Sequence, residues 1–152
     1  SAFDDALKDA IPTAKAAVQK ALDTKSPDRE LLLGSWYTKD LMDPEIAFYG
    51  RQSKSSDGMN LSAGVFIDHA EKTYDEFVDP GIWELRGRVV VELNFSDLSI
   101  PNVWVIDQVD EKSLTWRLFD PTLEPSEWLV SKEMRTPIKN PPRPAGYTDP
   151  EY

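Results

Sequence analysis

The stretch LLLGSWYTKD, residues 31–40, joins three leucines to a glycine and a tryptophan two positions apart. Polar and apolar residues alternate after Gly34, which is the period of a half-buried strand, and we predict a strand over residues 32–39. Glycine tolerates a sharp bend, and the large side chain of Trp36 can then point to the inside of a curved sheet. The stretch therefore predicts a first strand that can bend near its start, at Gly34.

The period of two continues along the chain to about residue 132. Further strands are predicted over residues 61–68, 73–78, 82–86, 89–95, 103–109, 114–119 and 127–132. Residues 40–58 are interpreted as loop-rich, with a helical turn or a short strand over 46–50, residues 79–81 (Asp-Pro-Gly) as a turn, and 96–101 as a loop. About eight short strands with short connections disfavour parallel βαβ units, which need long crossovers. An antiparallel meander avoids open edges most simply by closing, so we predict an up-and-down barrel of about eight strands.

Two segments of different character flank the predicted barrel. Residues 2–24 carry an apolar stripe at helical spacing, in which Pro12 either kinks one helix or begins a second one. Residues 136–152 hold five prolines and are predicted to be extended, either mobile or laid against the surface. The predicted organisation is an N-terminal helix and polar joint over 1–30, a barrel over 31–135 and a Pro-rich tail over 136–152.

Composition excludes several classes of function. The 152 residues carry a formal net charge of -10, which argues against nonspecific binding to nucleic acid or anionic lipid. The chain has no cysteine, which excludes disulfides and cysteine-ligated metals. No stretch reaches the roughly 18–20 apolar residues that span a bilayer, so the chain is predicted not to cross a membrane by a helix. It starts at Ser1 without a methionine, which is compatible with removal of an upstream export signal.

Two motifs carry a resemblance to a known family. Gly34-Ser35-Trp36 is similar to the Gly-x-Trp of the first strand in lipocalins, and GIWELRGRVVV, residues 81–91, resembles a hairpin common in bacterial lipocalin-like (calycin-type) domains. The resemblance covers residues 31–132 and implies a bacterial, exported, non-enzymatic domain that holds a small apolar ligand. It also implies a basic side chain covering Trp36 from the end of the last strand. We assign this role to Arg135 rather than Lys132, because a guanidinium stacks on an indole.

A barrel of eight strands either fills with side chains or encloses one small ligand. The candidate cavity-lining residues are Trp36, Phe66, Trp83, Leu93, Trp104 and Trp116. The alternative is that these residues only fill a core, and the sequence leaves open which side of its strand Trp104 occupies. Gly34, Trp36 and Arg135 are the candidate residues for closing the base.

Other chemistry is less favoured by the sequence. His69, the single histidine, could act as a base oriented by a neighbouring carboxylate, but a solvated turn histidine is commoner. The acidic residues of 68–79 lack the spacing of a calcium loop and are interpreted as a solvated face. Arg86 and Arg88 could contact an anion or simply solubilise a turn. We therefore predict no catalytic residue, metal or cofactor.

Two rival functions stay open at this point. In the first, residues 2–24 or the tail 136–152 dock on a protein partner, and a filled barrel is only the scaffold. In the second, weaker one, an enzyme is built in the barrel mouth. A cavity inside the barrel favours a ligand, an exposed apolar stripe on 2–24 favours a partner, and a buried ionisable pair in a cleft favours an enzyme.

Overall fold

Eight antiparallel strands form one closed up-and-down barrel in the computed structural model, which describes residues 1–151. The strands are β1 (Gly34–Asp43), β2 (Ile46–Lys54), β3 (Met59–Asp68), β4 (Thr73–Arg86), β5 (Val89–Asn94), β6 (Asp97–Val109), β7 (Ser113–Leu118) and β8 (Leu129–Met134). The predicted mainly β architecture is confirmed. The seam between β1 and β8 is the shortest pairing, with Tyr37 opposite Met134 and the Thr38 hydroxyl donating to the Lys132 carbonyl over 3.1 Å.

The segment after the first strand differs from the prediction. Instead of a loop-rich 40–58, β1 extends to Asp43 and β2 is a nine-residue strand paired along its length with β1 and β3. The Asp43 carboxylate turns the chain by accepting from the backbone N–H groups of Glu45 and Ile46. The prediction failed because the inward positions of β2 include Gly50, Gln52 and Lys54, so the apolar alternation that signals a strand is missing.

The turn predicted over residues 79–81 is also wrong, because β4 runs through it without a break. The carbonyl of Pro80 accepts from the N–H of Phe95 over 2.9 Å, so the backbone of Pro80 faces the end of β5. This position lies just past the last β4–β5 pair, where no ladder hydrogen bond needs an N–H from Pro80. Similarly, β6 begins at Asp97 rather than at residue 103 and absorbs the predicted loop.

The N-terminal segment forms two helices, α1 (Ala2–Lys8) and α2 (Pro12–Leu22), so Pro12 begins a second helix rather than kinking one. A 3-10 turn over Arg29–Leu32 leads into β1. The apolar stripe of both helices packs on the outer face of β5 and β6. The buried cluster comprises Phe3, Leu7, Ala14, Val18, Ala21, Val89, Val91, Val103, Val105, Phe119 and Trp128. The stripe is therefore covered by the chain's own barrel. No helix within residues 1–151 has the length and apolar character to span a membrane.

The Pro-rich tail lies along the outside of β3 and β4. Thr148 forms a parallel bridge with Thr73, and the Tyr74 hydroxyl donates to the Pro141 carbonyl over 2.6 Å. The Tyr147 hydroxyl lies 2.6 Å from Nδ1 of His69. These contacts fix the tail to the barrel wall; Tyr152, the last residue of the predicted tail, lies outside the described residues.

Candidate ligand-binding site inside the barrel

The interior of the barrel is layered. At the closed end, an apolar core holds Leu32, Trp36, Trp83, Val90, Ile106, Leu114 and Trp116. Above it lies a set of buried polar side chains, which we call the polar floor: Gln52, Lys54, Asn60, Glu92 and Glu133. Strand alternation places them together, because they occupy inward positions on β2, β3, β5 and β8. The polar floor places charged side chains in the barrel interior, which apolar side chains commonly fill in small barrels.

Lys54 is the centre of the polar floor and is 3% exposed. Its ammonium donates to the Glu92 carboxylate over 2.5 Å, to Asn60 Oδ1 over 2.9 Å and to the amide oxygen of Gln52. These three acceptors use all three N–H groups of the ammonium. The same charge lies over the rings of Trp83 and Trp116, at 5.9 and 5.4 Å from their centroids. Lys54 is therefore fully engaged in holding the floor together.

Glu133 accepts from three donors. Gln52 Nε2 donates to one oxygen over 2.6 Å; Trp116 Nε1 over 2.5 Å and the Ser131 hydroxyl over 3.1 Å donate to the other. Burial raises the pKa of Glu133, while the Gln52 hydrogen bond, the Lys54 charge and the Trp116 hydrogen bond oppose this rise. Like-charge repulsion from Glu92 raises the pKa of Glu133 further. Desolvation is the largest of these effects, so ionising Glu133 costs folding free energy.

This shift gives a pH-dependent stability with a definite sign. A carboxyl whose pKa is higher in the folded protein favours folding at acid pH and loses that contribution as pH rises through the folded pKa. We expect the free energy of unfolding of Glu133→Gln, measured relative to the parent in urea, to improve steadily between about pH 4 and pH 7. A difference between variant and parent that stays flat, or moves the other way, would contradict the raised pKa.

A cavity of about 150 Å³ lies against the polar floor and opens toward the rim. Its aromatic wall is formed by Phe48, Phe77 and Trp104, and its polar lining comes from Thr38, Arg51, Gln52, Ser62, Glu92, Asn102, Ser131 and Glu133. Trp104 Nε1 donates to Glu92 Oε1 over 3.1 Å, and its ring stacks on Trp116 with centroids 4.7 Å apart. The cavity thus combines an aromatic wall with a base of hydrogen-bonding groups, two of them carboxylates.

The closed end brings Gly34, Trp36 and Arg135 together. Gly34 has φ +84°, in the left-handed region, and its open side lies against the Arg135 guanidinium. The guanidinium lies 3.8 Å from the centroid of the Trp36 ring and donates to the carbonyls of Leu31 (2.7 Å) and Ser35 (2.9 Å). Trp36 is fully buried, and its Nε1 has no hydrogen-bond partner within residues 1–151. Arg135, rather than Lys132, caps the base.

The left-handed backbone of Gly34 makes it sensitive to substitution. An L-residue at this φ is strained by roughly 1–2 kcal/mol, and a Cβ would sit 3.4 Å from an Arg135 nitrogen. We expect Gly34→Ala to lower the free energy of unfolding by about that amount in urea denaturation. Gly146 has a similar φ of +82° in the tail with open space around it, so Gly146→Ala controls for strain without the closure contact. Equal stability of Gly34→Ala and the parent would contradict the left-handed backbone conformation of Gly34.

The structure places the six predicted cavity-lining residues in different parts of the barrel. Trp104 lines the cavity, whereas Trp36, Trp83 and Trp116 lie in the closed-end core beneath the floor. Phe66 stands at the rim, 37% exposed, and contacts the rings of Phe48 and Phe77.

The prediction for Leu93 is wrong, because this residue lies on the outer face of β5 and does not face the cavity. The face that carries Val90 and Glu92 points inward instead, while Val89 and Val91 on the other face pack under the helices. Sequence reasoning also missed the polar floor. Its signal was present as polar residues at every second position of β2, which were interpreted as a loop.

The remaining sequence candidates are placed outside the barrel cavity. His69 pairs with the tail through Tyr147, and the Asp68 carboxylate caps its own turn by accepting from the N–H groups of Ala70 and Glu71. Arg86 pairs with exposed Glu84. Within residues 1–151, no group of three histidine or acidic side chains is arranged to hold a metal ion.

Comparison with known proteins does not assign this chain to a family. No protein-family model matches the sequence, and no curated protein matches it significantly. The function is therefore inferred from the barrel and its interior.

Proposed function

We propose that this chain is a non-enzymatic, lipocalin-like binding domain that holds one small molecule inside the barrel. The observation that carries the proposal is the cavity of about 150 Å³ between the aromatic wall and the polar floor. Small-molecule sites in proteins are typically concave, with apolar walls and a few placed polar groups, and this cavity has both. Lipocalin-like character belongs to the proposal and is supported by Gly34-Ser35-Trp36 and the closed barrel. Export from a bacterial cytoplasm is proposed only as what that resemblance implies.

The size of the cavity limits the ligand. An apolar cavity of about 150 Å³ takes up a molecule of the size of benzene, whereas drug-sized ligands need roughly 300–1,000 Å³. The opening toward the rim leaves room for a substituent beyond the ring. A molecule with a single ring, or one ring at the end of a longer molecule, fits the volume.

The polarity of the cavity changes the sequence-based expectation of an apolar ligand. Glu92, Glu133 and Ser131 line the space with oxygen atoms that keep lone pairs beyond their hydrogen bonds within the floor, and a purely apolar guest would leave those lone pairs without water. A ring against Phe48 and Phe77 with a polar group directed at the floor satisfies both surfaces. The ligand is therefore amphipathic rather than apolar throughout.

The rival functions have less support. The apolar stripe of α1 and α2 is buried on the barrel, and the tail is bound along β3 and β4, which weighs against both as free docking segments. The buried Lys54–Glu92 pair would suit an enzyme. All three N–H groups of the Lys54 ammonium, however, already donate hydrogen bonds within the polar floor. We assign the pair to building the site rather than to catalysis.

A variant whose cavity is filled by an added phenylalanine ring tests the proposal. A set of single-ring compounds would be screened against the protein by ligand-observed NMR, and hits would be repeated on Ser62→Phe, which places a ring at an inward, cavity-lining position. Leu61→Phe, at the neighbouring outward position, is the matched control. We expect hits that survive Leu61→Phe and vanish with Ser62→Phe. Hits that bind all three proteins equally, or no hit at all, would overturn the proposal.

A further inference from the structure

Two glycines lie side by side on the inner wall of the barrel. Gly50 on β2 is opposite Gly64 on β3, and the same row continues to Thr38 on β1 and to Phe77 on β4. The φ of Gly50 is not in the left-handed region, so the direction of the backbone does not require a glycine there. What Gly50 supplies is space, because the absent side chains leave a depression in the wall at the level of the cavity that Gly50 lines.

The ring of Phe48 fills this depression. A Cβ added to Gly50 would lie 2.5 Å from Phe48 Cζ and 2.8 Å from Cε1, so the ring covers the inner side of Gly50. The Phe77 ring covers Gly64 in a similar way, with Cε1 3.1 Å from the position of a Cβ. The two rings are nearly parallel, at 10° with centroids 6.0 Å apart. Two phenyl rings therefore take up the space that two glycines leave.

Phe66 holds the Phe48 ring from the side of the rim. The two residues are directly opposite each other on β2 and β3, and their ring centroids are 4.7 Å apart. Phe66 does not line the cavity, whereas Phe48 does. The Phe48 ring is thus packed between the rim and the wall at Gly50, and it forms one side of the cavity.

We propose that Phe48 determines which ligands the barrel admits by limiting their width to a single ring. This inference rests on the proposed function and adds a specificity-determining residue to it. The cavity of about 150 Å³ has the volume for one ring. A second ring fused beside the first needs the space over Gly50, which the Phe48 ring already fills, and close-packed interiors do not accept such overlap without displacement.

Two alcohols of different width test the role of Phe48. Benzyl alcohol carries one ring, and 1-naphthalenemethanol carries the same hydroxymethyl group with a second ring fused beside the first. Each would be titrated by calorimetry into the full chain and into Phe48→Leu and Phe48→Ala. We expect the parent to bind benzyl alcohol at least tenfold more tightly than 1-naphthalenemethanol, roughly the discrimination of a size-limited apolar pocket. This preference should shrink in Phe48→Leu and reverse in Phe48→Ala, and the leucine variant serves alone if the alanine variant does not fold.

Phe66→Ala is the matched control, because it removes a ring of the same cluster that does not line the cavity. We expect it to keep the preference within about threefold of the parent. Equal binding of both alcohols to the parent, an unchanged preference in the Phe48 variants, or an equal effect of Phe66→Ala would overturn the role of Phe48 and leave the binding function standing. If neither alcohol binds any of these proteins, the inference is overturned, and the screen with Ser62→Phe decides the proposed function separately.

Discussion

Replacement of Lys54 by methionine is expected to lower the free energy of unfolding by about 3–5 kcal/mol, the range for breaking a buried ion pair by removing one partner. Methionine keeps most of the side-chain volume, so the loss is electrostatic rather than a cavity effect. The variant leaves the Glu92 carboxylate buried, and it removes the donor that Gln52 and Asn60 share. Urea denaturation followed by tryptophan fluorescence measures the change.

A second substitution identifies the cause of that loss. Lys54→Met combined with Glu92→Gln removes both charges, and we expect it to recover a large part of the lost stability, since replacing both partners of a buried pair is often nearly neutral. Lys39→Met, at an exposed position, should change stability by less than about 0.5 kcal/mol. Loss of under about 1 kcal/mol in Lys54→Met, or no recovery in the double variant, would contradict the role of Lys54.

Replacement of Trp36 by alanine is the other change with a large expected effect. Truncating a buried tryptophan costs about 3–5 kcal/mol, and Trp36 is fully buried in the closed-end core. The variant also removes the surface on which the Arg135 guanidinium stacks. We expect a fall of this size in the free energy of unfolding, measured in urea.

Val78→Ala is the control for Trp36→Ala. Val78 lies on β4 with 66% of its surface exposed, so its truncation should cost little. If Trp36→Ala were as stable as Val78→Ala, the indole would not be closing the barrel, and the account of the base would fail.

The barrel could be predicted because its signals are local. Period-two alternation, short turns and the absence of long helices inside residues 31–132 favour an antiparallel meander, and closure follows from the need to protect edges. Gly34 and Trp36 were identified as the base from the resemblance of Gly34-Ser35-Trp36 to the Gly-x-Trp of the first lipocalin strand.

The cavity could not be predicted in the same way, because the alternation rule assumes an apolar interior. Where the interior is polar, as along β2 through Gln52 and Lys54, the rule fails and a strand looks like a loop. On β5 both faces are largely apolar, since helices cover the outside, so the rule could not tell that Glu92 rather than Leu93 faces inward. The pairing of Lys54 with Glu92 spans 38 residues and leaves no local pattern.

Titration of the protein with the tightest-binding single-ring hit of the NMR screen, followed through the indole N–H signals in a ¹H–¹⁵N NMR spectrum, tests the central claim most directly. Trp104 Nε1 lies at the cavity, bonded to Glu92, whereas Trp128 Nε1 is bonded to the carbonyls of Asp120 and Leu123 away from it. We expect the Trp104 signal to shift saturably while the Trp128 signal stays in place. A Trp104 signal that does not move, or one that moves no more than that of Trp128, would contradict a ligand held inside the barrel.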